Sequence, residues 1–171
     1  MKVQIIFWGI IFFTINSCKT QHELSSANKF KGMWKLDKFE TFDTLTSKWR
    51  IDTTRLGYEG FILYDGLGHM GVQQTPPGYK DYDVNKNIDS LNNNELKKLV
   101  RLYRSNYVYF SNYEIDKNTI EHKRLSATNP NDWGTVLKRD FEFIGDTLIL
   151  TTHENINGSK LRIRWIKLNP Y

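Results

Sequence analysis

The chain has 171 residues, a length typical of one domain, and 39% of them are hydrophobic, enough for a substantial core. Its formal charge is +5, but the 24 basic and 19 acidic residues are interspersed along the chain. Because no block of like charge, arginine-rich stripe or zinc-finger spacing occurs, we expect a solvated surface and no nucleic-acid partner.

The amino-terminal segment has the pattern of an export signal. Lys2 precedes an apolar run, Ile5–Ile15, whose 11 residues are too few to span a bilayer, which needs about 20. Residues 15–18, Ile-Asn-Ser-Cys, resemble the lipobox of bacterial lipoproteins. The resemblance implies cleavage before Cys18, attachment of acyl chains such as palmitate, and a protein anchored in the bacterial cell envelope, facing the periplasm or the cell surface. An ordinary signal peptide with a chance cysteine is the alternative.

The rest of the amino-terminal region predicts a linker rather than a folded element. Cys18 is the only cysteine, so the sequence offers neither a disulfide nor a thiolate metal site. Residues 19–29 are polar and lack periodicity, as in a flexible tether. We therefore divide the chain into a lipoprotein signal peptide at 1–17, a tether at 18–29 and a barrel domain at 30–171.

Three strands are predicted in the first half of that domain. The first spans about Gly32–Phe42, and the next two, Gly60–Tyr64 and His69–Gln73, are joined by a turn with two glycines. Residues 43–59, between the first two strands, form a long polar connection that carries Trp49. Such a connection is either a lid or a surface excursion, and the sequence leaves both open.

One helix is predicted between the third and fourth strands, at about Asn93–Tyr103. Its apolar residues recur at helical spacing: Leu96, Leu99, Val100 and Tyr103. Asn92, with Glu95 three residues later, has the form of a capping box. We expect the apolar stripe to close one end of the barrel, the alternative being a basic helix that lies on a membrane surface.

Five further strands follow, separated by short turns rich in Asn, Asp and Gly. They are Tyr107–Asp116, Thr119–Leu125, Thr135–Phe143, Thr147–His153 and Lys160–Leu168. A meander of this length leaves two open edges unless it closes on itself. Together with the first three strands, it predicts an all-β fold: an eight-stranded antiparallel up-and-down barrel with one α-helix between strands three and four.

Several stretches resemble known lipocalin-like proteins. Gly32 and Trp34 on the first strand, with Arg162 and Arg164 on the last, are similar to the lipocalin pattern in which a Gly-x-Trp packs against a basic residue and closes the barrel base. Four segments resemble the bacterial and fungal lipocalin-like domain family more specifically: Leu63–Gln73, Tyr113–Asp116, Asn131–Thr135 and Phe143–Thr151. The resemblance covers about Phe30–Leu168 and implies a lipocalin-like barrel with a small-molecule cavity, but no reaction.

Strand alternation indicates which side chains face the lumen. The strands carrying His122, Arg124 and Arg139 alternate these residues with charged ones, and the charged set should face water. Two inward arginines beside a histidine and tyrosines suit an anion such as a carboxylate. Alternatively, the arginines reach water at the barrel ends and His122 is an ordinary hydrogen-bonded core residue. The ligand-binding candidates are Tyr109, Tyr113, His122, Arg124, Arg139 and, on a loop at one barrel mouth, Trp133.

Three functions are compatible with these residues. The leading hypothesis is a monomeric, membrane-anchored protein that binds a small amphipathic or anionic lipophilic molecule in the barrel. A barrel enzyme of the isomerase or cyclase type, with His122 and Tyr113 as acid and base, is the second. A structural envelope protein with a filled lumen is the third. Because no metal-binding or nucleophile motif occurs, no catalytic residue, metal or cofactor is assigned.

Overall fold

The computed structural model describes residues 28–83, 85, 87–156 and 159–169. The predicted signal peptide, Cys18 and nearly all of the tether lie outside the described residues. The described elements are β1 (Gly32–Asp43), β2 (Lys48–Ile51), β3 (Glu59–Tyr64), β4 (His69–Thr75), α1 (Asn93–Ser105), β5 (Tyr107–Asp116), β6 (Thr119–Ala127), β7 (Val136–Ile144), β8 (Thr147–Ile156) and β9 (Ser159–Lys167), with three short 3₁₀ turns.

The sheet closes into the predicted eight-stranded antiparallel barrel. Neighbouring strands follow the order β2-β1-β3-β4-β5-β6-β7-β8-β9, and β1 also pairs with β9. β1 and β3–β9 therefore form the barrel, while β2 lies beyond it, paired with the last part of β1 from Glu40 to Asp43. β2 falls in the connection 43–59, where no strand was predicted.

The inward faces follow the predicted alternation. Tyr109, Ser111 and Tyr113 on β5 are buried, while the residues between them are exposed. On β6 the buried residues are Ile120, His122 and Arg124. The period of two fails on β1, where the register with β9 shifts between Leu36 and Lys38. Such a bulge adds one residue to one strand, so the buried side chains after Leu36 resume at Phe39.

The end of the barrel where β1 begins is filled with aromatic side chains. Phe30 is fully buried, and its ring centroid lies 4.9 Å from those of Tyr64 and Phe141 and 5.0 Å from that of Phe143. Edge contacts of this kind stabilise by about 0.5–1.5 kcal/mol each beyond the buried area. We call this end the packed base.

Trp34 belongs to the packed base, but its basic partner is not one of those predicted. The Nζ of Lys167 lies 4.7 Å from the Trp34 ring centroid, and the indole N–H donates to the Phe30 carbonyl at 2.8 Å. The prediction of Arg162 or Arg164 was wrong because both alternate with the buried Trp165 on β9 and so face outward. Lys167 comes two residues after Trp165, so both side chains point to the same side of β9, and Lys167 lies opposite Trp34.

The two outward arginines of β9 pair with carboxylates on β1. Arg162 Nε donates to Glu40 Oε2 at 2.6 Å, and its guanidinium lies 4.4 Å from the Trp49 ring centroid. Arg164 Nε lies 3.6 Å from Asp37 Oδ2. These contacts join β9 to β1 and β2 on the outside of the barrel rather than closing its base.

The helix begins with the predicted capping box and packs against a loop. The Asn92 side chain accepts from the backbone N–H groups of Asn94 and Glu95. Tyr103 contacts Tyr79, with ring centroids 6.0 Å apart. The apolar stripe therefore packs on the loop after β4. It does not close the barrel end, contrary to the prediction from the sequence. No helix in the described part of the chain has the length and apolar character needed to cross a membrane.

Candidate functional site

The end of the barrel opposite the packed base holds a cavity of about 440 Å³. This volume is within the range of small-molecule sites, about 300–1,000 Å³. β5 begins at this end and β6 finishes there, so Tyr107 and Arg124 lie near the mouth. Arg55 and Tyr58, from the long connection between β1 and β3, also line it. That connection contributes to the mouth, while its Trp49 packs against Phe42 and Arg162.

The cavity has one polar and one apolar wall. β5, β6, β7 and the loop between the last two supply the polar wall: Tyr107, Tyr109, His122, Arg124, Asp132 and Arg139. β1, β3, β8 and β9 supply the apolar wall: Phe39, Ile62, Leu150, Leu161, Ile163 and Trp165. A guest that contacts both walls needs an apolar body and a polar group.

His122 lies at the centre of the polar wall and is only 1% exposed. The Tyr64 hydroxyl lies 3.0 Å from its Nε2 and the Tyr109 hydroxyl 2.9 Å from its Nδ1. Burial, together with the charges of Arg139 and Arg124, lowers the pKa of His122 to about 3. The ring is therefore neutral at neutral pH, with one nitrogen donating and the other accepting.

The tyrosines around His122 remain protonated phenols. Burial raises the pKa of Tyr64 well above its ordinary value, and it also raises the pKa of Tyr109. The pKa of Tyr107, nearer the mouth, is raised as well, again mainly by burial. The polar wall thus offers hydroxyl groups and a neutral imidazole, and its formal charge comes from the arginines and Asp132.

Arg124 is held by three groups at the mouth. Its Nη1 donates to the Tyr107 hydroxyl at 2.8 Å, its Nε donates to Thr135 Oγ1 at 2.9 Å, and Nη1 lies 3.2 Å from Asp132 Oδ1. These contacts fix the plane of the guanidinium group. Because Arg124 is 9% exposed, its charge acts in an environment that water screens weakly.

Arg139 brings a second guanidinium group to the polar wall. It is 7% exposed, and its Nη1 donates to the Lys138 carbonyl at 2.8 Å. Arg55, the third arginine of the lining, pairs with Asp52 at 2.7 Å. Among the lining residues, three are arginines and Asp132 is the one carboxylate. The lining therefore contains more cationic than anionic side chains, a composition compatible with an anionic guest.

The structure brings together four of the six predicted ligand-binding residues, namely Tyr109, His122, Arg124 and Arg139. Tyr113 lies directly opposite His122 in the ladder, but its ring packs in the base against Tyr64, with centroids 5.1 Å apart.

Trp133 also lies away from the cavity lining. Its side chain is 58% exposed, and the indole N–H donates to the Ala127 carbonyl at 2.6 Å. The placement of Tyr113 and Trp133 at the site is thus corrected. For Tyr113, strand alternation predicts that the side chain points inward but not how far along the barrel axis it lies. For Trp133, a position in a loop does not determine the direction of the side chain.

Other site residues were missed by the sequence reasoning. Tyr64 was predicted on a strand, but its partnership with His122 spans 58 positions in the chain, and no local pattern encodes it. Arg55 and Asp132 lie in 3₁₀ turns, which have no periodicity to reveal which way a side chain points. No group of three or more His, Cys, Asp or Glu residues within the described ranges is arranged to hold a metal ion.

A closed antiparallel barrel with a packed base and a one-ended cavity defines the class of this protein. The chain belongs to the lipocalin-like domain family, whose sequence model matches residues 31–166. No curated protein matches it by sequence.

Solved structures with a similar fold include a point mutant of the fluorescent protein UnaG, at 10% identity and a TM-score of 0.40, covering 84% of this chain and 99% of that one. As-p18, an extracellular fatty acid binding protein, shares 14% identity with a TM-score of 0.37, covering 82% of this chain and 97% of that one. Rv2717c from M. tuberculosis shares 11% identity with a TM-score of 0.31, covering 86% of this chain and 98% of that one.

Proposed function

We propose that this protein is a membrane-anchored, lipocalin-like protein that binds a small lipophilic molecule bearing an anionic group. The observation that carries the proposal is the pair of buried guanidinium groups, Arg124 and Arg139, on one wall of a cavity whose other wall is apolar. A carboxylate facing the polar wall receives charged hydrogen bonds, while an apolar body covers Phe39, Ile62 and Leu161.

The protonation state of His122 supports binding over catalysis. A general acid or base works best when its pKa is near the working pH, and burial holds the pKa of His122 near 3. The predicted acid–base pair of His122 with Tyr113 also lacks support, because the hydroxyl groups beside the imidazole are those of Tyr64 and Tyr109. A cavity of about 440 Å³ likewise does not fit a filled structural lumen.

The anchoring part of the proposal is supported by sequence alone. The apolar run Ile5–Ile15 and the lipobox-like residues before Cys18 support export and lipidation. An acylated Cys18 would hold the barrel at a membrane of the bacterial cell envelope, since two acyl chains anchor stably.

Ligand binding can be tested with one substitution, Arg139→Met. We expect it to weaken binding of a fluorescent fatty-acid analogue by about 10- to 150-fold, the equivalent of one charged hydrogen bond of about 1.5–3 kcal/mol. Titration of wild type and variant measures the effect, and native mass spectrometry of the purified wild type identifies any copurified ligand. Arg101→Met, on the exposed side of α1, is the matched control and should bind as wild type does.

The opposing outcome is equally specific. If Arg139 serves to hold the barrel wall, Arg139→Met lowers the melting temperature sharply because it leaves polar partners buried without the arginine. That loss, together with no ligand found in the wild type and no binding of the fatty-acid analogue, would overturn the binding proposal.

A further inference from the structure

The outside of the barrel carries a group of exposed apolar side chains, which we call the apolar face. Its members are Met33, Phe61, Leu63, Leu67 and Phe110, whose exposed fractions lie between 44% and 83%. Met33 lies opposite Leu63, Leu63 opposite Gly71, and Gly71 opposite Phe110. One row of the sheet thus crosses β1, β3, β4 and β5, and Phe61 and Leu67 flank it.

A groove of about 370 Å³ runs over this face, with Gly71 among its lining residues. The Phe110 ring leans over Gly71 so closely that a Cβ on the glycine would lie 2.8 Å from it. An aromatic ring that covers a glycine on the neighbouring strand stabilises a sheet. This accounts for the position of Phe110, but it leaves the exposure of Met33, Phe61 and Leu63 unexplained. Contiguous apolar surface of this kind marks an interaction site.

Lysines border the apolar face. Lys35 lies opposite Phe61 in the ladder, and the methylene groups of Lys31 cover Gly66 in the turn that carries Leu67. Both lysines are exposed, and neither forms an ion pair within the described part of the chain. Asp65, the acidic residue of that turn, is already paired with His69 at 2.7 Å. The face therefore combines an apolar centre with free positive charge at its edge.

The amino-terminal segment reaches the barrel beside this face. β1 begins at Gly32, immediately before Met33. Fully extended, residues 18–31 would span at most about 50 Å at about 3.6 Å per residue. A lipid on Cys18 would therefore keep the start of β1, beside the apolar face, within about 50 Å of a bilayer.

We propose that the apolar face is a contact surface for an anionic lipid bilayer. Its apolar side chains enter the boundary between headgroups and acyl chains, while Lys31 and Lys35 bind anionic headgroups. This proposal goes beyond ligand binding, and it does not require Cys18 to be lipidated. Lys31 and Leu67 lie at the base end of the barrel and the cavity mouth at the other, so contact through this face does not require the mouth to be covered.

Vesicle binding by the non-lipidated chain tests the proposal. The protein is residues 18–171 with Cys18→Ser; the strand pairings that close the barrel lie within residues 32–167. Cosedimentation with vesicles of equal parts phosphatidylglycerol and phosphatidylcholine is compared with cosedimentation with phosphatidylcholine alone. We expect binding to the anionic vesicles, weakened about tenfold or more by Leu63→Ser with Phe110→Ser. Lys31→Gln with Lys35→Gln should weaken it about fivefold per lysine and reduce its salt dependence.

Two matched controls make the result specific to this face. Leu45→Ser with Ile51→Ser removes apolar side chains that are 96% and 52% exposed elsewhere on the surface. Lys97→Gln with Lys98→Gln removes two exposed lysines of α1. Both double variants should bind vesicles as the parent protein does, and circular dichroism should show that every variant is folded at the temperature of the assay.

Three results would overturn the proposal. The first is that the parent protein fails to bind anionic vesicles, and the second is that the control variants lose as much binding as the face variants. The third is a dimer in sedimentation that Leu63→Ser with Phe110→Ser abolishes, which would assign the face to a second copy of the chain. Fatty-acid titration of the same variants keeps this test separate from the cavity, because the apolar-face variants should bind the probe unchanged.

Discussion

His122 shows how a titratable residue is held neutral inside this barrel. Tyr64 and Tyr109 satisfy both ring nitrogens, so the neutral ring costs little to bury, whereas the imidazolium would be desolvated beside Arg124 and Arg139. The polar wall therefore combines a neutral, fully hydrogen-bonded imidazole with two buried guanidinium groups.

A pH dependence of stability follows from this environment. The folded-state pKa of His122 is about 3 against an ordinary value of 6.5, so at intermediate pH the unfolded chain binds more protons than the native one. The free energy of unfolding should therefore fall as pH decreases from about 6.5 towards 3, by up to about 1.4 kcal/mol per pH unit from this residue. Urea unfolding at a series of pH values measures the slope.

The substitution His122→Gln isolates this contribution. Glutamine offers a donor and an acceptor to the tyrosines but does not titrate, so the slope below pH 6.5 should flatten by up to about 1.4 kcal/mol per pH unit. An unchanged slope in His122→Gln would show that the buried imidazole is not the source.

Among the elements, β1 determines how the barrel closes. It pairs with β3 on one side and β9 on the other, and its bulge after Leu36 changes which residues face inward. Trp34, before the bulge, packs into the base, with Phe143 at a centroid distance of 5.9 Å. Lys167, at the end of β9, lies against the Trp34 ring and also donates to the Lys29 carbonyl at 3.1 Å.

Emptying the Trp34 site should destabilise the whole barrel. Trp34→Ala removes a side chain that is 1% exposed, and we expect a loss of about 3–5 kcal/mol in the free energy of unfolding. Denaturant melts measure it. Trp133→Ala is the matched control, because that indole is 58% exposed and should cost about 1 kcal/mol, the value of its hydrogen bond. Equal losses in the two variants would contradict a base built on Trp34.

At the scale of the whole molecule, the two ends of the barrel differ. Aromatic side chains fill the end where β1 begins, and the cavity occupies the end where Tyr107 and Arg124 lie. The amino-terminal segment enters at the packed end. An anchored barrel would therefore be attached by its closed end, with the mouth at the far end of the strands.

Anchoring itself is testable in cells. Cys18→Ser removes the thiol that lipidation requires, so the protein should leave the membrane fraction or remain uncleaved, as followed by fractionation and mass spectrometry of the amino terminus. Ser17→Ala keeps a small residue before the cysteine and should still be processed and membrane-bound. A Cys18→Ser protein that is cleaved and still fractionates firmly with membranes would contradict the lipoprotein hypothesis.

The amino-acid sequence by itself determined the strands and their faces. Turns rich in Asn, Asp and Gly are local signals, and a period of two is a local geometric rule. The barrel of eight strands, the helix before β5 and the inward direction of His122, Arg124 and Arg139 were therefore predictable. The basic partner of Trp34 was predictable in principle. On β9 the side chain of Lys167 points to the same side as Trp165, whereas those of Arg162 and Arg164 point to the other side.

Only the tertiary structure decided where along the barrel axis each inward side chain lies. Tyr109 and Tyr113 share one face of β5, yet the first lines the cavity and the second packs in the base. Closure of the barrel likewise determines the hydrogen bond between Tyr64 and His122. It also determines the position of Asp132 beside Arg124. Alternation repeats identically at every depth of a strand, so it cannot distinguish a filled end from an open one; that difference arises when β9 meets β1 and the side chains compete for the same enclosed volume.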